Sequence, residues 1–333
     1  MTAVRTGPDH PAGELRVLTW NLWWRFGPWR ERREAIRTVL REERPDVVGL
    51  QEVWADGTDN LAGLLADDLG MHWTWSPFDR PERWNARLGD PDTQDGTAHH
   101  TGTPAYGIGN AVLSRWPVLD RAVLRLPTTA GGQDDGRTAL YALLDAPGGP
   151  LPFFTVHLNS PPHESAVRRQ QVRAVAEFIA EHRDAPTAVR GAAVGEPFPP
   201  VLTGDFNAFP DSDEMRLLSG LRTAPAVPGQ VLLDAWEYAG TGAPSATWDA
   251  ANPYVAATHS PSVRIDYVLV GQAASDGRGA VRAVRRAGDA PVGGVWPSDH
   301  AAVVATLAAD RDADCDADHD AGATTRATTR AAG

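Results

Sequence analysis

The stretch VLTGDFN, residues 201–207, begins with Val201 and Leu202 in the manner of a buried strand and ends in a glycine, a carboxylate, an aromatic ring and a carboxamide. An apolar run that stops at Asp205 and Asn207 sets polar groups where a strand leaves its sheet. The pattern recurs along the chain. LTWN ends at Asn21, VVGLQE at Glu52, FFTVHLN at His157 and Asn159, VRID at Asp266, and VWPSDH at Asp299 and His300. Ligands of open sheets collect at strand ends, so one rim of the sheet is expected to hold amides, carboxylates and imidazoles together. Such an oxygen-rich set suits one or two hard divalent cations, magnesium or manganese, and disfavours soft metals. An Asp two residues from an Asn, and an Asp beside a His, can orient and polarise a water and hydrogen-bond a pentacoordinate phosphorus.

Working outward, LRVLTW (15–20) reads as a strand. It is followed by the amphipathic WRERREAIRTVLREE, with Ala35, Ile36, Val39 and Leu40 on one helical face. PDVVGLQE (45–52) is a short apolar run bounded by proline and a carboxylate, the mark of a buried strand. A helix near 60–69 and a strand at HWTWSPF precede a polar loop, about 79–104, without periodicity. Strands are predicted around YGIGNAVLS, RTALYALLD and LPFFTVHL, and a helix over ESAVRRQQVRAVAEFIAEH. A Gly/Pro-rich loop, RGAAVGEPFPP, then leads into Val201, and VRIDYVLVG and AAVVATL are the last strands. Strands alternate with helices early and crowd together late, which favours one large α/β domain over residues 15–307. Residues 1–14 are expected to be a flexible N-terminus. Residues 308–333 are expected to be a disordered tail, low in complexity and poor in large apolar residues.

Composition removes several function classes. The 333 residues are 42% hydrophobic and 22% charged, ordinary for a globular chain. The single cysteine, Cys315, lies in the tail, so neither a disulfide framework nor a thiolate metal site is available. No apolar run approaches the roughly 20 residues that span a bilayer, and the N-terminus lacks the apolar core of a secretory signal. A cytoplasmic location is expected. All 31 basic residues are arginine and the formal net charge is −12. An acidic body is a poor general nucleic-acid binder, because phosphate affinity rests on Lys and Arg. It leaves open a nuclease whose metal ions meet the phosphate.

Taken in order, Asn21, Gln51-Glu52, His157, Gly204-Asp205-Phe206-Asn207, Arg264-Ile265-Asp266-Tyr267 and Ser298-Asp299-His300 resemble the blocks of the endonuclease/exonuclease/phosphatase superfamily. Six blocks in one order are far more specific than any single motif. The resemblance implies a four-layer α/β sandwich of the deoxyribonuclease I kind, with two mixed β-sheets packed face to face and flanked by helices. It also implies a metal-dependent phosphoesterase. Asn21, Glu52 and Asp299 would hold Mg2+ (or Mn2+), with Glu52 the principal ligand. Asp205 would orient or deprotonate the attacking water, and Asn207 would steady the phosphoryl oxygens. His300, paired with Asp266, would stabilise negative charge or assist the leaving group. His157 would sit at the scissile phosphate, with an acid partner expected between Glu52 and His157.

Other residues carry two readings each. Asn159 is a substrate contact or a turn former before Pro161-Pro162, Asn110 a site contact or the end of a turn, and Arg168 a phosphate contact or part of a solvated helix face. His99-His100 read as a solvated loop pair. Of the 12 tryptophans, Trp20, Trp23, Trp24 and Trp29 cluster about the Asn21 strand end, in the core or along the cleft. The expected partner is a phosphodiester, either nucleic acid or a small or lipid diester, hydrolysed by a monomer. A sphingomyelinase- or phospholipase-like hydrolase and a non-catalytic scaffold are the alternatives. The scaffold reading requires loss of Glu52, Asp205 or His300, and none is lost.

Overall fold

The computed structural model describes residues 13–86, 106–128, 136–183 and 197–309. Residues 1–12 and 310–333 of the terminal segments expected to be flexible, His99-His100 and most of the Gly/Pro-rich loop lie outside the described residues, while Glu14 and Ala308, at the inner ends of those segments, pair with each other in the first of two sheets. One sheet contains β1 (Glu14–Asn21), β2 (Val47–Ala55), β3 (His72–Pro77), β4 (Gly107–Ser114), β11 (Val281–Ala287) and β12 (Ala302–Ala308), in the order β11-β12-β1-β2-β4-β3. The other contains β5 (Val118–Arg125), β6 (Thr138–Leu144), β7 (Leu151–His157), β8 (Val201–Asp205), β9 (Leu232–Asp234) and β10 (Asp266–Gly271), in the order β5-β6-β7-β8-β10-β9. Each sheet has one parallel pair at its centre, β1 with β2 and β7 with β8, while the other neighbours run antiparallel.

A parallel pair needs a crossover, and a helix supplies it both times. α1 (Trp29–Glu43) joins β1 to β2, and α4 (Ser165–His182) joins β7 to β8. The predicted face of α1, Ala35, Ile36, Val39 and Leu40, is buried. Leu18, Trp20, Ile36 and Leu40 meet α2 (Leu61–Leu69) in a core on the outer side of the first sheet. Val172, Val175 and Ile179 of α4 join Phe154, Leu202 and Leu269 on the outer side of the second. Between the sheets, Val17, Val47 and Val303 pack with Leu140, Phe153 and Val268. Central strands buried on both faces explain why VVGL and LPFFTV read as continuous apolar runs. The layers are helix, sheet, sheet, helix: the expected four-layer α/β sandwich.

Some local expectations fail. Within the stretch expected to be structureless, Pro81–Asn85 form a short helix, α3, with Pro81 in its first turn and Trp84 buried. Three strands went unpredicted. β5 and β11 are edge strands whose arginines mask the alternation, and β9 is three residues long. The VRID strand starts only at Asp266, because Val263 pairs instead with Trp248 in an isolated bridge. Three further short helices, α5 (Asp213–Ser219), α6 (Ala235–Tyr238) and α7 (Pro253–Ala256), start at Ser212, Asp234 and Asn252, whose side chains cap them. No helix among the described residues is long and apolar enough to cross a membrane.

Candidate active site

The carboxyl ends of both parallel pairs open onto the same rim. Register puts His157 beside Asp205 on β7 and β8, and Asp266 beside Asp205 on β8 and β10. One row of the second sheet therefore reads His157, Asp205, Asp266. Gly204 makes this row possible, since a Cβ there would lie 2.2 Å from the Val156 carbonyl oxygen. From the first sheet come Asn21 at the end of β1 and Glu52 on β2. The register of β2 slips between Leu50 and Val53, and Glu52 takes φ 53°, a left-handed conformation that turns its side chain to the rim. Asn207, at φ 48°, is held in the same region while its amide N–H caps Asp205 Oδ1 at 2.9 Å and its side chain donates to the Leu158 carbonyl at 3.1 Å. Non-glycine residues in this region cost energy and persist where the surroundings over-determine them.

Asp205 is the hub. Its Oδ2 accepts from Asn21 Nδ2 at 2.9 Å and lies 3.2 Å from His157 Nε2 and 3.8 Å from His300 Nε2. His300 Nδ1 meets Asp266 Oδ2 at 2.9 Å, and Asp266 has no exposed surface. Ser298 fixes the third block: its hydroxyl donates to the Asn21 carbonyl at 2.6 Å and accepts from the His300 N–H at 3.2 Å. Trp20 Nε1 donates to the His300 carbonyl at 2.8 Å. The segment before β12 is thus pinned to the end of β1.

The electrostatics divide the carboxylates. Burial alone would raise Asp205, but His157, His300 and the Asn21 hydrogen bond hold it well below the usual carboxylate range. Burial raises Asp266, against the pull of His300. Burial likewise pushes Asp299 up to about 7, with His300 opposing and Glu52 reinforcing. Burial would lower His300, yet Asp266, Asp299 and Asp205 together drive it well above the ordinary histidine value, so it stands as an imidazolium. His157 is lowered, first by burial and then by the nearby Arg137 guanidinium. Its Nδ1 is buried and has no hydrogen-bond partner among the described residues. Besides Asp205 and Glu52, which face Nε2, the described neighbours of His157 include Phe78 and Trp84, with ring centroids 6.0 and 6.5 Å away, and the cation of Arg137.

Asn21, Glu52, His157, Asp205, Asn207, Asp299 and His300 all line one cavity of about 820 Å3. Its wall continues through Trp23, Phe26, Trp84, Trp248 and the half-exposed Phe209. Asp205, Asp266 and His300 could offer donor atoms within 4.8 Å of one another. The His300–Asp266 hydrogen bond, however, already spends one ring nitrogen and one carboxylate oxygen of that trio. Glu52 Oε2 is buried with no hydrogen-bond partner among the described residues, and Asp299 faces the same cavity, so the two offer oxygen donors of the kind a hard cation prefers. Asn21, expected as a ligand, turns its Nδ2 to Glu52 and Asp205, at 3.3 and 2.9 Å, and its Oδ1 to the Trp23 N–H, at 2.9 Å. In this arrangement it orients both carboxylates.

Of the three secondary candidates, Arg168 alone lines the cavity. Asn110 donates to the Thr138 carbonyl at 2.7 Å and ties the two sheets together behind the rim. Asn159 spends its amide on Glu164, at 2.9 Å, and Gln171, at 2.8 Å. Arg168 touches the cavity wall but is buried, where a solvated helix face was one reading. Its guanidinium meets Glu214 at 3.1 Å and the carbonyls of Asn159, Pro161 and Pro162. All three make hydrogen bonds within the scaffold. Conversely, Ser298 sat inside a quoted block without a role, and Trp248, edge-on to His300 at 5.0 Å, carried no local signal.

Residues 18–300 match the profile of the Endonuclease/Exonuclease/phosphatase family. The chain belongs to this family. Members of the endonuclease/exonuclease/phosphatase family are phosphoesterases and nucleases, and the four-layer sandwich described above is their fold. The endonuclease/exonuclease/phosphatase protein of Beutenbergia cavernae is similar at 25% identity and a TM-score of 0.61, over 89% of this chain and 72% of that one. TDP2 of D. rerio, solved with a single-strand DNA product, aligns at 20% identity and a TM-score of 0.61, over 88% and 98%. The human Nocturnin catalytic domain, solved with a bound sulfate anion, aligns at 20% identity and a TM-score of 0.58, over 89% and 94%. No curated protein sequence matches the chain.

Proposed function

We propose that this endonuclease/exonuclease/phosphatase family protein is a divalent-metal-dependent phosphodiester hydrolase. The observation that carries the reading is the Asp205 hub, an ionised buried carboxylate 3.2 Å from His157 and 3.8 Å from an imidazolium, on the floor of the cavity. Asp205 accepts a hydrogen bond from the attacking water and draws off its proton. Asn207, its backbone fixed by Asp205 and its side chain by Leu158, presents an amide N–H to the phosphoryl oxygens. His300, kept charged by Asp266, directs Nε2–H at the negative charge that builds up as the ester bond breaks. Glu52 and Asp299 would hold Mg2+ or Mn2+, which when bound withdraws charge from the phosphoryl group. Asn21 keeps Glu52 and Asp205 from drifting apart.

The cavity wall favours small diesters over polymeric nucleic acid. Among the described residues, Arg168 is the one arginine lining it, and that guanidinium is spent on Glu214 and three carbonyls. A polynucleotide binds by phosphate neutralisation along its length, whereas the wall here is aromatic on one side and carries Asp211 and Asp213 on another. The single-strand DNA product seen with TDP2 makes DNA the second substrate to test. Half-exposed Phe209 at the cavity makes a lipid headgroup the third.

The test is purified protein on bis-p-nitrophenyl phosphate, plasmid DNA and sphingomyelin, with Mg2+, with Mn2+ and with EDTA. Turnover that needs metal and is abolished by Asp205→Ala is expected, with bis-p-nitrophenyl phosphate cleaved most readily. Full activity in EDTA, or in the Asp205→Ala protein, would sink the mechanism.

A further inference from the structure

Arg32 lies on α1 and is 1% exposed. Among the described residues its guanidinium hydrogen-bonds no carboxylate. Instead, Nε donates to the Phe26 carbonyl at 3.1 Å, Nη1 to Leu22 at 2.8 Å and Pro297 at 2.9 Å, and Nη2 to Trp23 at 2.9 Å and Trp24 at 3.0 Å. Arginine has five N–H donors in a fixed fork, and all five are used. Four of the acceptors belong to the turn that follows Asn21. The fifth precedes Asp299 by two residues. Trp23 and Trp24 in that turn adopt φ 54° and 35°, and the Trp23 ring lies 4.8 Å over the guanidinium. The cation gathers the carbonyls of both tryptophans and so helps to hold this left-handed backbone, together with the Asn21 side chain that accepts from the Trp23 N–H.

We propose that Arg32 is a positioning residue for the cation-binding half of the site. It fixes the turn carrying Asn21 against the segment carrying Asp299, so that Glu52 and Asp299 stand at their working separation before any metal arrives. A buried positive charge at that point also relieves repulsion between the two carboxylates. Burial lowers Arg32 to about 10, with Asp299 and Glu52 supporting the charge, so the guanidinium stays protonated at neutral pH. The proposal rests on the hydrolase reading above.

The test has two parts. In the first, Mn2+ binding is measured by calorimetry for the wild-type protein and for Arg32→Lys, which keeps the charge but cannot span five carbonyls. Loss of an outer partner of this kind weakens metal binding by about 10- to 100-fold, so the variant should bind at least tenfold more weakly yet approach wild-type kcat on bis-p-nitrophenyl phosphate at saturating Mn2+. An unchanged binding constant with a lowered melting temperature would show a merely structural residue and overturn the proposal. In the second, which needs no variant, hydrogen exchange of the metal-free wild-type protein should show the amides of residues 22–26 and 298–300 already protected. Protection that appears only when Mn2+ is added would overturn it as well. Wild-type protein that binds no Mn2+ would overturn the hydrolase reading itself, an outcome distinct from either of these.

Discussion

At Asp299 the chemistry of the site is also a statement about stability. A carboxyl raised to about 7 keeps in the folded state a proton that the unfolded chain releases near its ordinary value of about 4. Its contribution to stability is therefore largest in acid and declines as pH rises through that window. His300 acts in the same direction: its raised folded value stabilises below the ordinary histidine pKa, and that contribution is lost as pH climbs through the folded one. Asp205, depressed, acts oppositely and loses its contribution as pH falls below the usual carboxylate range. Metal-free protein is thus predicted to lose melting temperature between about pH 4 and pH 7, and Asp299→Asn should flatten that decline. A profile as steep in the variant as in the wild type would refute the assignment. At the same scale, Asp266→Asn should leave His300 without its charge partner and cut kcat by about 10- to 1,000-fold, with little change in KM. These residues were legible in the sequence because each closes an apolar run. Ser298 and Arg32 were not, since a serine inside a motif and one arginine among four in WRERREAIR carry no sign of burial.

At the level of elements, one ion pair clamps two helices beneath the cavity. Arg168 on α4 and Glu214 on α5 are both buried and joined at 3.1 Å. Removing one partner of such a pair leaves a buried charge uncompensated, so Glu214→Ala should cost about 3–5 kcal/mol by chemical denaturation. A loss below about 1 kcal/mol, the range of a surface pair, would contradict the packing described. Helix α4 itself was legible from its apolar spacing, but that spacing counted its polar residues as solvated. Tertiary contact overrode the local pattern at Arg168, as it did at Trp84, where the ring is buried within a stretch that has no periodicity. The bulge at Glu52 is likewise invisible in VVGLQEVWA, since it depends on what β4 pairs with on the far side.

Across the whole molecule, the central strands, the edge strand β3 and the two crossover helices could be read from the apolar runs, whereas the edge strands β5, β9 and β11 could not. Edge strands owe their place to neighbours, and their charged residues conceal the alternation. Where the sheets face each other near the rim the interior turns polar. Gln51 donates to Thr19 at 3.2 Å and to Thr155 of the opposite sheet at 2.9 Å, and Thr203 stands so close to Gly49 that a Cβ there would meet its hydroxyl at 2.1 Å. Gly49→Ala is therefore expected to force the sheets apart, with a destabilisation of about 1–3 kcal/mol and a loss of turnover larger than the loss of fold. An alanine variant with wild-type activity would mean that the sheets tolerate separation.

The pairing of His300 with Asp266 has a wider consequence. His300 is delivered by the sheet that contains β12, and Asp266 by the sheet that contains β10. Neither sheet owns a complete set of groups, so chemistry becomes a gauge of how the two slabs are seated on each other. In a urea titration, turnover should fade before the far-ultraviolet circular dichroism does, because a small slip between the slabs disarms the centre while every strand remains intact.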